Sequence, residues 1–148
     1  MATFWDPAIR EDMCRRIGRL TPETTARWGK FSAAQMVAHL NDAMRMATGD
    51  LAVAPRKLPI RYFPLKQLIL YVLPFPKGAP TAPELLARCA DADLKAEQVE
   101  FTKLAERAAE RSRADHWPDH PAFGPLTYEG WGKLVCKHTE HHLKQFGL

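Results

Sequence analysis

The sequence predicts an all-α fold, a single-domain helical bundle over residues 1–148, and three observations carry that reading. Four long segments open with a helix-capping residue and continue with apolar side chains at three- and four-residue spacing. No stretch alternates apolar and polar residues over the length that a strand needs. A proline-rich connection of about thirty residues follows the second segment, far longer than antiparallel neighbours require. With 148 residues and 46% apolar composition, the chain can bury well over half of its unfolded surface in one core.

The first helix starts where Asp6 precedes Pro7, an N-cap followed by proline at the first helical position. It is expected to end near Gly18, with Ile9, Met13 and Ile17 on one face. Ser32-Ala33-Ala34-Gln35 forms a capping box, in which the hydroxyl accepts from the Gln35 N–H and the amide reaches back; it opens a helix from about Ala33 toward Gly49. Thr81-Ala82-Pro83-Glu84 is a second box and predicts a short helix to about Ala90. Asp93 caps a longer one, whose buried face is Leu94, Phe101, Leu104, Ala105, Ala108 and Ser112, with Lys103, Glu106, Arg107 and Glu110 opposite. Thr127, with Glu129 in the first turn, opens the last helix, which runs to the C-terminus.

The connection between Gly49 and Pro80 is expected to cross the bundle. Within it Leu65, Leu68, Ile69 and Val72 have helical spacing while Leu70 and Tyr71 make the other side apolar. Burial on both faces as a core plug is one reading; a subunit contact through Leu65 to Leu73 is the other.

Charge and composition exclude several classes. The net charge of +4 comes from 21 bases interleaved with 17 acids, a soluble surface with a mild basic bias and no motif for nucleic acid. Three cysteines, Cys14, Cys89 and Cys136, stand far apart in no C-x-x-C pattern, which fits a reducing cytoplasm. The N-terminus has no secretory pattern. The most apolar segment is broken by Pro64, Lys66, Pro74 and Pro76 and is too short to span a bilayer. No nucleophilic-serine elbow, phosphate-binding loop or dinucleotide fingerprint occurs.

The histidines carry the chemistry. Lys137-His138-Thr139-Glu140-His141-His142 puts three of the six histidines in five positions. On a helical wheel with Trp131 at zero, Leu134 falls at about 300°, Val135 at about 40°, His138 at about 340°, His142 at about 20° and His141 at about 280°. His138 and His142 therefore lie within the apolar stripe and His141 at its edge. Imidazoles at i and i+4 project side by side and can close on one divalent ion. Near the helix end, His141 can instead offset the dipole and cap carbonyls. On the second helix, with Met36 at zero, His39 falls at about 300°, bordering the stripe of Leu40, Ala43, Met44 and Ala47, and is the candidate third ligand. His116 and His120 have the same spacing, but Pro118 and Pro121 rule out a helix there. That segment reads as a loop packed by Trp117 and Phe123, with His120 able to border a pocket. Cys136, at about 140° on the last wheel, points away from the histidines.

Trp28-Gly29-Lys30 leading into Ser32, Gln35-Met36 and His39-Leu40, then Pro76-Lys77-Gly78, Thr81 to Glu84, His120-Pro121-Ala122-Phe123-Gly124 and Trp131 through Lys137 to Gly147, resembles the DinB/YfiT-like metalloenzyme superfamily. The pattern covers the chain from about Arg15 onward and is similar to a branch described as a domain of unknown function. The resemblance implies an up-down-down-up four-helix bundle with a long crossover, often a homodimer. It also implies a divalent metal on three histidines, which fall on His39, His138 and His142, the trio that the wheels select. Some members are thiol S-transferases using small cellular thiols; others are hydrolases or isomerases.

The expected function is therefore a divalent-metal-dependent enzyme, a thiol S-transferase or hydrolase acting on a small molecule, with Zn, Ni or Fe as the ion. Three imidazoles leave positions open on it, and His141 and His120 are the candidates for moving protons. The rival expectation is a non-catalytic, metal-stabilised bundle that forms a homodimer through Leu65 to Leu73. No nucleic acid and no membrane enters either reading.

Overall fold

The computed structural model describes residues 2–148; the regular structure among them is helical, with no strand. Helix α1 spans Pro7–Gly18, α2 Ala33–Thr48, α4 Leu94–Glu110 and α5 Tyr128–Gln145. Between α2 and α4 lies α3, Leu65–Gln67, which widens into a π-helical turn over Leu68–Val72. Among the described residues, no helix is long and apolar enough to cross a membrane.

Each long helix begins at its expected cap. Asp6 accepts from Ala8 N at 3.0 Å, Asp93 from Ala96 N at 2.9 Å and Thr127 from Gly130 N at 3.0 Å. Ser32 and Gln35 complete both halves of their box. These bonds satisfy donors that the first helical turn leaves free. Helix α2 stops at Gly49, whose φ of 85° is the left-handed conformation that glycine adopts without steric cost.

The order of contacts along the chain gives the helix directions. Asn41 reaches Glu97, Arg45 reaches Glu100 and Asp50 meets Arg107, so α2 and α4 run the same way. Trp5 meets Tyr128, whereas Arg16 meets Glu140, so α1 and α5 also run together. Gln98 bonds Ile17 O at 2.8 Å while Cys14 bonds Thr102, which makes α1 and α4 opposed. His39 meets His138 while Trp28 O, ahead of α2, takes the Gln145 amide, so α2 and α5 are opposed as well. Phe4, Ile17, Met36, Phe101, Trp131 and Leu143 are buried between them.

Three expectations are corrected. The box at Thr81 does not start a helix: Pro83–Leu85 and Cys89–Asp91 are separate 3₁₀ turns without a side-chain cap. The Leu85 carbonyl faces His39, and Cys89 N bonds Leu86 O instead. Ser112 does not extend the buried face of α4, because the chain turns extended at Arg111 (ψ 142°) and leaves Ser112 exposed. The apolar Leu65–Leu73 piece is no core plug. Only Leu70 is buried there, while Leu65, Val72 and Leu73 are exposed, since two turns between Pro64 and Pro74 present just one side to the core.

Candidate metal centre

Helix α5 carries His138 and His142 one turn apart, and α2 brings His39 against them from the opposite side. The Nε2 atoms of His39 and His138 are 3.0 Å apart, and those of His142 and His138 are 3.1 Å apart. One ligating atom from each of the three lies within 4.8 Å of the others. Two nitrogens at ~2.0–2.1 Å from one ion are separated by ~2.9–3.4 Å for angles between a right angle and tetrahedral. The rings are therefore spaced as co-ligands are.

The outer nitrogens say the same. His39 Nδ1 faces the Leu85 carbonyl at 3.3 Å and so carries a proton. Gln145 gives its Nε2 protons to Trp28 O at 2.8 Å, which turns its Oε1 toward His142 Nδ1 at 2.7 Å and requires a proton there too. Both rings, neutral and protonated at Nδ1, aim a bare Nε2 lone pair at His138 Nε2. One proton on His138 cannot fully satisfy two such acceptors; a cation among the three nitrogens satisfies all of them. Carbonyl and amide partners at the far nitrogen are the arrangement that fixes ligand tautomers in metal sites. The residues fit a divalent ion.

All three rings are held neutral. Burial pushes His142 down to about 3, aided by His39 beside it. Burial likewise lowers His39, and it takes His138 well below the usual histidine range, with His142 and His39 adding repulsion. Neutral imidazole is the ligating form.

Local packing sets the rings in place. Gly29, at φ 78°, lets the 27–32 segment close over the end of α5; a Cβ there would stand 2.7 Å from Gln145 Nε2. Arg27 N donates to Gln145 O at 2.7 Å in the same clamp. Phe31 then stacks on His39 at 5.3 Å and lies 5.9 Å from His142. On α2, Asp42 accepts from Arg88 at 3.0 Å, and Arg88 also donates to Glu97 at 2.8 Å. This ties the turn bearing the Leu85 carbonyl to α2 and α4. Burial raises Glu97, but the hydrogen bonds from Arg88 and Asn41 outweigh it and leave the carboxyl below its ordinary value.

The three histidines open into a cavity of about 840 Å³, walled by the 49–86 connection, the 120–123 loop, α2 and α5. Its volume suits a small-molecule site. A smaller hollow of about 230 Å³ shares Met46, Val53 and Pro121 with it but none of the histidines.

His141 and His120 line the same cavity, outside the trio. The His141 ring lies 5.8 Å from Trp28 and 5.2 Å from His142, and burial with Lys77 nearby lowers its pKa. His120 Nδ1 accepts from Ala122 N and Phe123 N at 3.0 and 3.1 Å, so its proton sits on Nε2. Burial and Lys66 bring it down to about 4. The loop is packed by buried Trp117 and Phe123, His116 is exposed, and Cys136 is half-buried away from the cavity. Sequence reading did not assign Gln145 or the Leu85 carbonyl. Gln145 lies three residues past His142, a spacing that places them together on a helix; no local signal marks Leu85.

A family model described as a protein of unknown function (DUF1569) matches residues 8–147. No curated protein and no solved structure gives a significant match.

Proposed function

The chain belongs to the DUF1569 family, whose description names no activity, and from the site itself we propose a divalent-metal-dependent enzyme acting on a small molecule. A thiol S-transferase or a hydrolase is the reaction class. The observation that carries this is the meeting of three Nε2 atoms, two of them bare by hydrogen bonding at Nδ1, on the wall of the large cavity.

His39, His138 and His142 hold the ion, for which Zn, Ni and Fe all suit imidazole ligands. A bound divalent ion supplies Lewis acidity that lowers the pKa of a water or thiol to near neutrality. The chain's own groups handle the protons. His141, neutral at pH 7, accepts one from the incoming nucleophile. His120 has its Nδ1 occupied by two backbone N–H groups, so its Nε2–H donates a hydrogen bond to substrate oxygen and keeps its proton. The apolar walls around Phe31, Phe75 and Leu85 limit water in the cavity.

The helix directions support an up-down-down-up four-helix bundle of the DinB-like kind, with the 49–93 connection as its crossover. The three free cysteines support a reducing, cytoplasmic setting.

Metal analysis of the purified chain, with alanine at His39, His138 and His142 in turn, tests the site. One equivalent of metal in the native chain and loss from each variant is the expected result, followed by loss of metal-dependent thiol conjugation or hydrolysis in an activity screen. Stoichiometric metal in all three variants overturns the reading.

A second reading, a metal-stabilised scaffold that dimerises without catalysis, is favoured by the outward-facing side chains between Leu58 and Leu73. Cobalt-substituted protein separates the two. A visible spectrum that changes on adding azide or a thiol indicates open coordination positions and supports the enzyme; an unchanged one supports the scaffold.

A further inference from the structure

Among the described residues, the walls of the cavity carry no aspartate or glutamate, and their charged residues are Lys30 and Arg56. Lys30 is exposed. Arg56 is half-buried, and among the described residues its guanidinium makes no ion pair or hydrogen bond. Its backbone is fixed, with the N–H donating to Pro121 O at 2.8 Å beside the His120 loop. Of the neighbouring arginines, Arg88 holds Asp42 and Glu97 and Arg45 holds Asp42 and Glu100, while Arg61 lies against Gly124 and does not line the cavity. Glu84, on the neighbouring turn, takes the Ala54 N–H and does not line the cavity. A guanidinium without a protein partner in a largely apolar, acid-free wall is placed to receive an anion.

We propose that the substrate is an amphipathic monocarboxylate, with Arg56 binding the carboxylate and the apolar walls taking the body of the molecule. A planar guanidinium matches a carboxylate through two parallel hydrogen bonds. Apart from the ion at the histidines, Arg56 is the half-buried cation of the wall and matches one carboxylate beside a lining that includes Val53, Leu58 and Ile60. The carboxylate is an anchor rather than the reacting group. The substrate's other end, in the same cavity, is the part presented to the histidines. This assignment rests on the cavity being the substrate site of the proposed enzyme.

Calorimetric binding of 4-phenylbutyrate, 4-phenylbutanol and 4-phenylbutylamine to the full chain, metal-free and zinc-loaded, tests it. The carboxylate should bind metal-free protein at least ~10-fold more tightly than the alcohol, and the amine more weakly still. Arg56→Gln should erase the preference for the acid, leave the alcohol within about twofold, and keep the zinc stoichiometry of the native chain. Equal binding of acid and alcohol to metal-free protein, no binding of the acid, or an undiminished preference in Arg56→Gln each overturns the proposal. A preference confined to zinc-loaded protein also overturns it, because the ion would then be the anion's partner, and the metal site would stand. Failure to take up zinc while the Arg56-dependent preference persists would instead overturn the metal site and spare the anchor.

Discussion

Gln145 holds His142 in the tautomer that frees Nε2, so the ligand depends on an amide one helical turn away. Its two bonds, to His142 Nδ1 and Trp28 O, make it a hinge between α5 and the segment before α2. Replacing Gln145 by Leu removes the acceptor at nearly constant volume and should weaken metal binding ~10–100-fold, measured by competition with a chromophoric chelator. Gln145→Glu keeps an acceptor at that place and should lose less. His120 gives a second prediction. Its pKa in the fold is about 4, against about 6.5 for a free histidine. The folded state thus binds fewer protons than the unfolded chain below pH 6.5. Stability contributed by the neutral ring is complete above that pH and is lost as pH falls toward 4. Over that window it amounts to about 3 kcal/mol. In metal-free protein, His120→Asn should flatten the acid limb of stability against pH, read from urea midpoints between pH 7 and 4. An unchanged limb would show that His120 titrates normally.

The helices were legible because their caps and apolar faces are local. Asp6, Ser32, Asp93 and Thr127 each bind the backbone they precede, and His138 and His142 share a face by period alone. The segment from 83 to 91 was not, because its conformation answers to distant partners: the Leu85 carbonyl to His39, and Arg88 to Asp42 and Glu97. Leu65 to Val72 misled for a related reason, since apolar composition shows that a face wants cover without showing what covers it. His39 could be placed at the edge of a stripe, but that its ring meets the α5 pair follows only from the opposed packing of α2 and α5. The Arg88 bonds make the energetics of that segment testable. Arg88→Ala leaves Glu97 and Asp42, both buried, with Asn41 and Arg45 as their remaining partners. The expected cost is about 2–3 kcal/mol in urea unfolding. Metal affinity should fall with it, because the Leu85 carbonyl loses its tether; a variant destabilised to that extent with unaltered metal affinity would separate the turn from His39.

Viewed entire, the molecule hides its core well and leaves one area uncovered. Among the described residues, eight of the ten exposed large hydrophobic ones fall between Leu58 and Leu73, with Phe63 81%, Val72 70% and Tyr62 66% accessible. Scattered exposed apolar side chains are ordinary, but a concentration of this kind on one short segment is not. Lys137 of α5 donates to the Ile69 and Leu73 carbonyls, which pins the segment's backbone to the bundle while its side chains face out. A rigid apolar strip meets a second copy with little entropy lost on ordering it, and each large side chain fully covered contributes ~1.5–3 kcal/mol. Homodimerisation through this strip is the expected outcome, seen in equilibrium sedimentation as twice the 16.8 kDa of the chain. Phe63→Asp combined with Val72→Asp should return the protein to 16.8 kDa. Neither side chain contributes to the core, so helical content and metal stoichiometry should stay as they are. A native chain that remains monomeric at roughly 100 µM, a concentration at which contacts of even weak affinity are populated, would remove the dimer and leave the strip to another partner.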